Sequence, residues 1–417
     1  MSSVVLPEIP RHGPAPAVPS GAAPSLEMQV LLCAARVRLT PHERARLVSL
    51  LMQGPDWVRL GELAALHKLA PLMYWHLRTL DGHVPAEAMH FFRTYFDRNV
   101  RRVLELTREM IGLVRALETQ GIAAVAYKGP ALAVEAYGNI VLRQAGDIDL
   151  LVRREDMPHV RLLLRQRGYE REHELDRAGE ELTARSLYHE AFHHPGGPIV
   201  EVHWAFTDVF HGFTLNLDEA APHLTTISLG GERVRSLGRE DLLLALCVHG
   251  AKHRWCRLEW AMGVAELLRS ARQPDWPVLL ERATSLGSRR VLLLGLHMAR
   301  ELLDAPLPAD IERLVRHDPL VRSLARDARS HVLNTSDRWG ELQLAPRDVF
   351  YLHLNERGRD KLKFLLHRLT TPSQAKSWRG VHVGRVYLPL HYFVRPFQSW
   401  RPLLQTLRWY MTPHRTL

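Results

Sequence analysis

The chain has 417 residues, enough for two or three domains, and its 46 % hydrophobic and 24 % charged residues are typical of globular proteins. Its three cysteines, Cys33, Cys247 and Cys256, form no CxxC pair, which argues against a disulfide scaffold or a thiolate zinc site. The net charge of +10 belongs to the C-terminal segment, because thirteen Lys or Arg residues and three acids follow from Arg347 onwards.

The two ends of the chain have the least regular composition. Residues 1–25 are rich in Pro, Ala, Gly and Ser and predict a disordered arm, without the basic start and apolar core of a secretory signal. Residues 346–417 form a basic, aromatic segment, which is typical of contact with nucleic acid or an anionic membrane surface. A solvated basic face is the alternative. The cysteine pattern fits a reducing cytoplasm, so we expect a cytoplasmic protein. No uninterrupted apolar run is long enough to span a bilayer.

Between these ends the predicted elements are helical, then mixed, then helical again. Apolar residues recur at helical spacing over residues 26–118 and again over residues 231–345. Residues 119–230 instead alternate strand and helix, through the runs GIAAVAYKG, PALAVEAYG, DIDLLV, EDMPHVRLLLRQRGY and PIVEVHWAF. We therefore predict an α+β protein in which a small core is flanked by helical N-terminal and C-terminal regions.

The run GDIDLLV, residues 146–152, carries the strongest chemical signal. Side chains alternate faces along a strand, so Asp147 and Asp149 should share one face while Ile148 and Leu150 share the other. Two carboxylates on one face of an apolar strand repel each other, and burying them is costly unless a cation compensates. A hard divalent cation such as Mg²⁺ does so. A strand end with two solvated aspartates is the alternative.

Two further runs could complete such a site. In VEVHW, residues 200–204, Glu201 and His203 share a strand face, and a carboxylate on a neighbouring strand could join a two-metal site. In KGPA, residues 128–131, Gly129 permits close approach of the backbone and precedes a helix start, which can bind phosphate. Lys128 and Arg143 could neutralise triphosphate charge, with ordinary surface ion pairs as the alternative.

The run KGPALAVEAYGNIVLRQAGDIDLLV, followed by VEVHW, resembles the polymerase-beta nucleotidyltransferase superfamily. More closely, it is similar to a bacterial family described as uncharacterised nucleotidyltransferase. The later run EDLLLALCVHGAKHRW and the basic aromatic region with Arg395-Pro396 are also similar to that family. The resemblance covers roughly residues 30–410 and implies a small mixed-sheet nucleotidyltransferase core.

The resemblance implies roles for individual residues. Asp147, Asp149 and Glu201 would bind Mg²⁺, or alternatively Mn²⁺. Glu201 would be the third acid, which bridges a metal and activates an acceptor hydroxyl. Gly129 would lie on the phosphate side. The sequence departs from the superfamily pattern at Pro130, where serine usually follows the glycine, and in a longer gap from Gly129 to Asp147.

Lys252 and His253 lie in the helix that the resemblance marks as specific to the closer family. We expect one or both to contact a phosphate or the base of the nucleotide. His249 and His253 would share a helix face, so a zinc pair or simple helix packing is the alternative for them.

These observations predict a metal-dependent enzyme that moves a nucleoside monophosphate from a nucleoside triphosphate to a hydroxyl or similar acceptor, releasing pyrophosphate. The acceptor stays open among small molecules, peptides, proteins and RNA. One alternative is a nucleotide-binding module without turnover, which the departure at Pro130 favours. Another is an adaptor that binds nucleic acid or membrane through the basic segment.

Overall fold

The structure is a computed structural model, and it describes residues 23–80, 82–172, 187–207, 213, 215–333, 344–370 and 404. The predicted disordered arm lies almost entirely outside these residues, and so does most of the predicted basic aromatic segment. Both interpretations therefore stay predictions. Among the described residues, no helix is long and apolar enough to cross a membrane.

Four short helices and one long helix open the described chain: α1 (Leu26–Ala34), α2 (Pro41–Leu51), α3 (Trp57–Leu66), α4 (Ala70–Leu77) and α5 (Ala86–Thr119). Side-chain caps mark the start of α1, α2 and α3. At α2, the Thr40 hydroxyl accepts the Glu43 N–H at 3.3 Å, and the Glu43 carboxylate accepts the Thr40 N–H at 2.7 Å. At 34 residues, α5 is about 50 Å long.

A mixed five-stranded sheet follows, formed by β1 (Val125–Ala126), β2 (Asp147–Leu151), β3 (Glu170–Arg171), β4 (His189–His193) and β5 (Ile199–His203). Its strand order is β1-β2-β5-β4-β3. Strands β2 and β5 are parallel, and the other neighbouring pairs are antiparallel. The central parallel pair therefore joins two segments that are about 50 residues apart in sequence.

Short helices connect these strands: α6 (Gly129–Leu132), a π-helical turn (Ala133–Tyr137), 3-10 turns (Ile140–Leu142 and Arg154–Asp156) and α7 (Met157–Gln166). Gly168, in the left-handed region at φ +82°, follows α7 as the sequence predicts. Beyond the sheet lie α8 (Leu217–Ala220), a 3-10 turn (Ala221–His223) and a hairpin of β6 (Thr225–Leu229) and β7 (Glu232–Ser236). The β6–β7 hairpin includes residue 230, at which the sequence predicts that the mixed strand-and-helix region ends.

One face of the five-stranded sheet is apolar. Ile148 and Leu150 of β2 and Val200 and Val202 of β5 are fully buried on it. They form one hydrophobic core with side chains of α5, α7 and the β6–β7 hairpin. Because side chains alternate, the residues between them, including both aspartates of β2, lie on the opposite face.

The C-terminal region is helical: α9 (Arg239–Lys252), α10 (Leu258–Arg269), α11 (Trp276–Ser285), α12 (Arg289–Leu303), α13 (Ala309–His317), α14 (Pro319–Leu333), α15 (Leu344–Leu354) and α16 (Gly358–Thr370). Helices α9–α15 share a second, larger core with α1–α4. The predicted α+β class, with a small mixed sheet flanked by helices, is confirmed.

Candidate metal and nucleotide site

Strand pairing brings the predicted acids to one face of the sheet. Asp149 on β2 is paired directly with Glu201 on β5, and Leu151 is paired with His203. Asp147 lies at the start of β2, two residues before Asp149 and therefore on the same face. The single parallel pairing thus assembles the two predicted runs into one polar patch.

His203 lies between two carboxylates of this patch. Its Nε2 is 3.1 Å from Asp149 Oδ1 and 3.3 Å from Glu201 Oε2. Ligand atoms of these three residues all lie within 4.8 Å of one another, a spacing that could hold one metal ion. Asp147 is not part of this close group, although its charge acts on the same carboxylates.

Lys128 supplies a positive charge to the patch. Its Nζ donates to Asp149 Oδ1 at 3.0 Å and lies 5.1 Å from the ring centroid of Tyr127. Burial alone would lower the pKa of the Lys128 ammonium, but the Asp149 carboxylate outweighs burial, and the pKa is raised. Lys128 is therefore charged and bound to a carboxylate in this state of the protein.

The three carboxylates differ in their electrostatics. Burial opposes ionisation of Asp149, yet the Lys128 charge and the hydrogen bond from His203 lower its pKa well below the usual range. A hydrogen bond from His203 also lowers the pKa of Glu201. Burial, followed by the charges of Asp149 and Glu201, raises the pKa of Asp147 to about 6. Negative charge is thus incompletely compensated at Asp147, which is the condition that a divalent cation relieves.

The Gly129 turn passes close to the aspartate strand. Gly129 has φ +52°, in the left-handed region, and a Cβ there would lie 3.2 Å from the backbone oxygen of Asp147. On the other side, Arg102 of α5 donates to the Gly146 backbone oxygen at 2.9 Å. The loop before Asp147 is therefore held between α5 and the turn that follows β1.

The end of α9 approaches the same face through an aromatic ring. The Lys252 ammonium is hydrogen-bonded to the Tyr188 hydroxyl and lies 4.4 Å from the Tyr188 ring centroid. That ring is 6.0 Å from the ring of His203. Tyr188 and His203 therefore link Lys252 to the carboxylates.

The other two predicted nucleotide contacts, His253 and Arg143, have different neighbours. The ring of His253 stacks on Trp260, with centroids 5.0 Å apart, and burial lowers the pKa of His253 to about 3. Arg143 is half-buried, and its backbone oxygen accepts from Asn99 at 3.3 Å. Within the part of the chain that the structure describes, neither forms a hydrogen bond or an ion pair with the carboxylates.

Sequence reasoning placed His203 on the acidic face without giving it a role, and it did not single out His189. The His189 ring stacks on that of His203, with centroids 5.0 Å apart and an interplanar angle of 17°. His189 is also paired with His203 across β4 and β5. A strand-pairing register was needed to find this contact, because the two residues are unrelated by sequence spacing.

The donor set suits a divalent metal. Carboxylate oxygens are preferred by Mg²⁺ and accepted by Mn²⁺, and one imidazole nitrogen adds affinity for transition metals. Asp147, Asp149, Glu201 and His203 are the residues that would hold such ions.

Comparison with known proteins finds one matching family. The model of a family described as uncharacterised nucleotidyltransferase matches residues 53–304, more than half of the chain. Among solved structures, an antigenic nucleotidyltransferase-like protein from Paracoccidioides brasiliensis is similar, with 15 % identity and a TM-score of 0.34. That match covers 51 % of this chain and 97 % of the other. No curated protein matches the chain.

Proposed function

Because the chain belongs to the uncharacterised nucleotidyltransferase family, we propose that it transfers a nucleoside monophosphate from a nucleoside triphosphate to an acceptor hydroxyl, releasing pyrophosphate. The observation that carries this proposal is the direct pairing of Asp149 with Glu201 across two parallel strands, with Asp147 on the same face. This is the arrangement that a metal-dependent displacement at phosphorus needs.

The carboxylates have separate tasks in this mechanism. Asp147 and Asp149 would hold Mg²⁺ or Mn²⁺, which when bound stabilises charge on the attacking and leaving oxygens. Glu201, whose pKa is lowered, is ionised at neutral pH and would accept the proton of the acceptor hydroxyl. The acceptor oxygen then forms its bond to the α-phosphorus, and the bond to the bridging oxygen of pyrophosphate breaks.

Five residues would bind the nucleotide: Lys128, Gly129, Arg143, Lys252 and His253. Lys128 is supported best, because its charged ammonium already lies at the carboxylates. Gly129 would let backbone N–H groups approach the phosphates. Lys252 approaches the same face from α9 and could neutralise leaving-group charge. Arg143 and His253 would act from the periphery of the site.

The proposal is tested with purified protein, each α-labelled nucleoside triphosphate, Mg²⁺ or Mn²⁺, and cellular extracts of small molecules and RNA as acceptors. We expect pyrophosphate release and transfer of label to a new species. Asp149→Asn should lower transfer by at least about 1,000-fold, because it removes a charge that stabilises the transition state. Asp218→Asn is the matched control, since this exposed carboxylate forms an ion pair with Arg153 and lies outside the site.

Transfer that survives Asp149→Asn at the wild-type rate would contradict this site. Metal-dependent nucleotide binding without transfer to any acceptor would instead support a binding module, the alternative that Pro130 favours. Thermal unfolding of both variants separates loss of chemistry from loss of fold, because Asp149→Asn also removes the buried partner of Lys128.

A further inference from the structure

We propose that His203 is a direct metal ligand, and that the position it forms with Asp149 and Glu201 selects Mn²⁺ over Mg²⁺. The inference rests on the proposed function in assuming that metal binds at this face. His203 would add a nitrogen ligand to a site whose other protein ligands are carboxylate oxygens. That nitrogen would give the site a preference for one ion. We call this position the inner position and define it by Asp149, Glu201 and His203.

The inner position already has the spacing of ligands that share an ion. His203 Nε2 lies 3.1 Å from Asp149 Oδ1 and 3.3 Å from Glu201 Oε2. Ligands bonded at about 2.1 Å to one ion lie about 3.0 Å apart in octahedral geometry and about 3.4 Å apart in tetrahedral geometry. Small adjustments would therefore suffice to admit an ion.

The two metal positions implied by the carboxylates differ in chemistry. Asp147 lies outside the group of ligand atoms that are within 4.8 Å of one another. Asp147 and Asp149 would therefore define an outer position with oxygen ligands from the protein and from the triphosphate. The inner position lies one pleat further along the strands, where Leu151 is paired with His203.

The His203 ring is fixed in its orientation. It is 3 % exposed, stacks on His189, and meets Tyr127 edge-on at 5.8 Å between centroids. A rigidly held imidazole loses little side-chain entropy when it binds an ion.

Lys128 bonds the same Asp149 oxygen as His203. An ion at the inner position would take that oxygen and displace the ammonium, which would remain beside the Gly129 turn. A lysine released in this way is available to the triphosphate. Metal binding and nucleotide binding would therefore support each other.

The nitrogen ligand sets the preference for one ion. Mg²⁺ favours octahedral oxygen ligands and retains its water molecules, whereas imidazole binds transition metals well. Mn²⁺ accepts both donor types. Mg²⁺ should therefore suit the outer position with the triphosphate, and Mn²⁺ should suit the inner position without nucleotide.

The test uses untagged full-length protein, Mn²⁺ and no nucleotide. Electron paramagnetic resonance measures the Mn²⁺ affinity, and its pulsed form detects coupling between Mn²⁺ and a ligand nitrogen. We expect nitrogen coupling in the wild type and at least tenfold tighter binding of Mn²⁺ than of competing Mg²⁺. His203→Gln should abolish the coupling and weaken Mn²⁺ binding by at least about tenfold. Losing a residue that contacts a metal or its ligands typically lowers metal affinity by this factor. His193→Gln, a half-exposed residue on β4 outside the group, is the control and should keep both properties.

Bound Mn²⁺ without nitrogen coupling in the wild type would overturn the inference, and this result needs no variant to fold. An unchanged ratio of Mn²⁺ to Mg²⁺ affinity in a folded His203→Gln protein would also overturn it. Failure of the proposed function can be distinguished from failure of this inference. Nitrogen coupling without nucleotidyl transfer would support the inference and count against the function, whereas transfer without coupling would do the reverse.

Discussion

At the scale of single residues, one carboxylate oxygen of Asp149 contacts two other side chains of the site. Its Oδ1 accepts from Lys128 at 3.0 Å and from His203 at 3.1 Å, and the side chain is buried. A buried charge of this kind is stable only while its partners remain. Substitutions at Lys128 or His203 therefore change the state of Asp149 as well as their own contacts.

The first prediction concerns Gly129. Gly129→Ala should abolish nucleotide transfer, because the new methyl group would lie 3.2 Å from the Asp147 backbone oxygen and the residue needs φ +52°. Gly138→Ala is the matched control. It also has positive φ, +64°, but nothing lies within 4 Å of its added Cβ.

Transfer assays and denaturant unfolding check this prediction. The control should lose about 1 kcal/mol of stability from its backbone conformation and keep its activity. Equal loss of transfer in both variants would mean that positive φ in general, rather than the close approach at Gly129, is what matters.

At the scale of elements, the end of α9 is held in an unusual conformation. Arg254 and Trp255 follow α9 at φ +51° and +56°, a region that side chains other than glycine rarely adopt. Trp255 is fully buried against Gly250, where an added Cβ would lie 2.5 Å from its ring. Arg254 donates from Nη2 to both oxygens of Asp327 on α14, at 2.9 and 2.7 Å. These contacts fix the end of α9, from which Lys252 extends towards the sheet.

The second prediction follows from that ion pair. Asp327→Ala should lower the free energy of unfolding by about 3–5 kcal/mol, because it leaves the buried Arg254 charge without its partner. Arg329→Ala is the matched control on the same helix. It removes a half-exposed ion pair with Glu301 and should cost less than about 1 kcal/mol. If urea denaturation shows an equal decrease in the free energy of unfolding for both variants, the buried ion pair does not stabilise the fold more than the half-exposed one.

At the scale of the whole molecule, the two helical regions form one body. Helices α1–α4 and helices of the C-terminal region contribute to a single hydrophobic core. A polar contact links them as well: His67, just after α3, accepts the first N–H of α10, from Leu258, at 3.1 Å. The histidine ring thus satisfies a helix N–H that has no partner within its own helix.

The third prediction concerns pH and uses this contact. Burial, followed by the charges of Arg257 and Arg59, lowers the pKa of His67 to about 4. An unfolded histidine titrates near about 6.5, so below that pH the unfolded chain binds a proton that the folded chain does not. His67 therefore stabilises the fold above about pH 6.5, and about 3 kcal/mol is lost as the pH falls to about 4.

Urea unfolding of the wild type and His67→Gln over this pH range measures the effect. The difference in stability between them should shrink as the pH falls, because the variant has no ring to protonate. His83→Gln, at an exposed position, should follow the wild type at every pH. A difference that stays constant with pH would show that His67 does not titrate as described.

Local pattern in the sequence accounts for the elements around the site. Alternation in GDIDLLV and VEVHW places Asp147 with Asp149 and Glu201 with His203, because side-chain direction along a strand depends only on neighbouring residues. Gly168 could be assigned to the end of α7 because glycine readily adopts the left-handed conformation that ends a helix. The family also follows from these runs, since a family is recognised by residues in order along the chain.

Only the tertiary structure determined which of these residues meet. The pairing of Asp149 with Glu201 depends on the parallel register of β2 and β5, and the stacking of His189 on His203 depends on the antiparallel register of β4 and β5. The Lys128–Asp149 contact depends on where the turn after β1 lies against β2. Periodicity carries no information about register between strands. The fusion of both helical regions into one core is likewise set by packing between helix faces, because an apolar face predicts burial but not its partner.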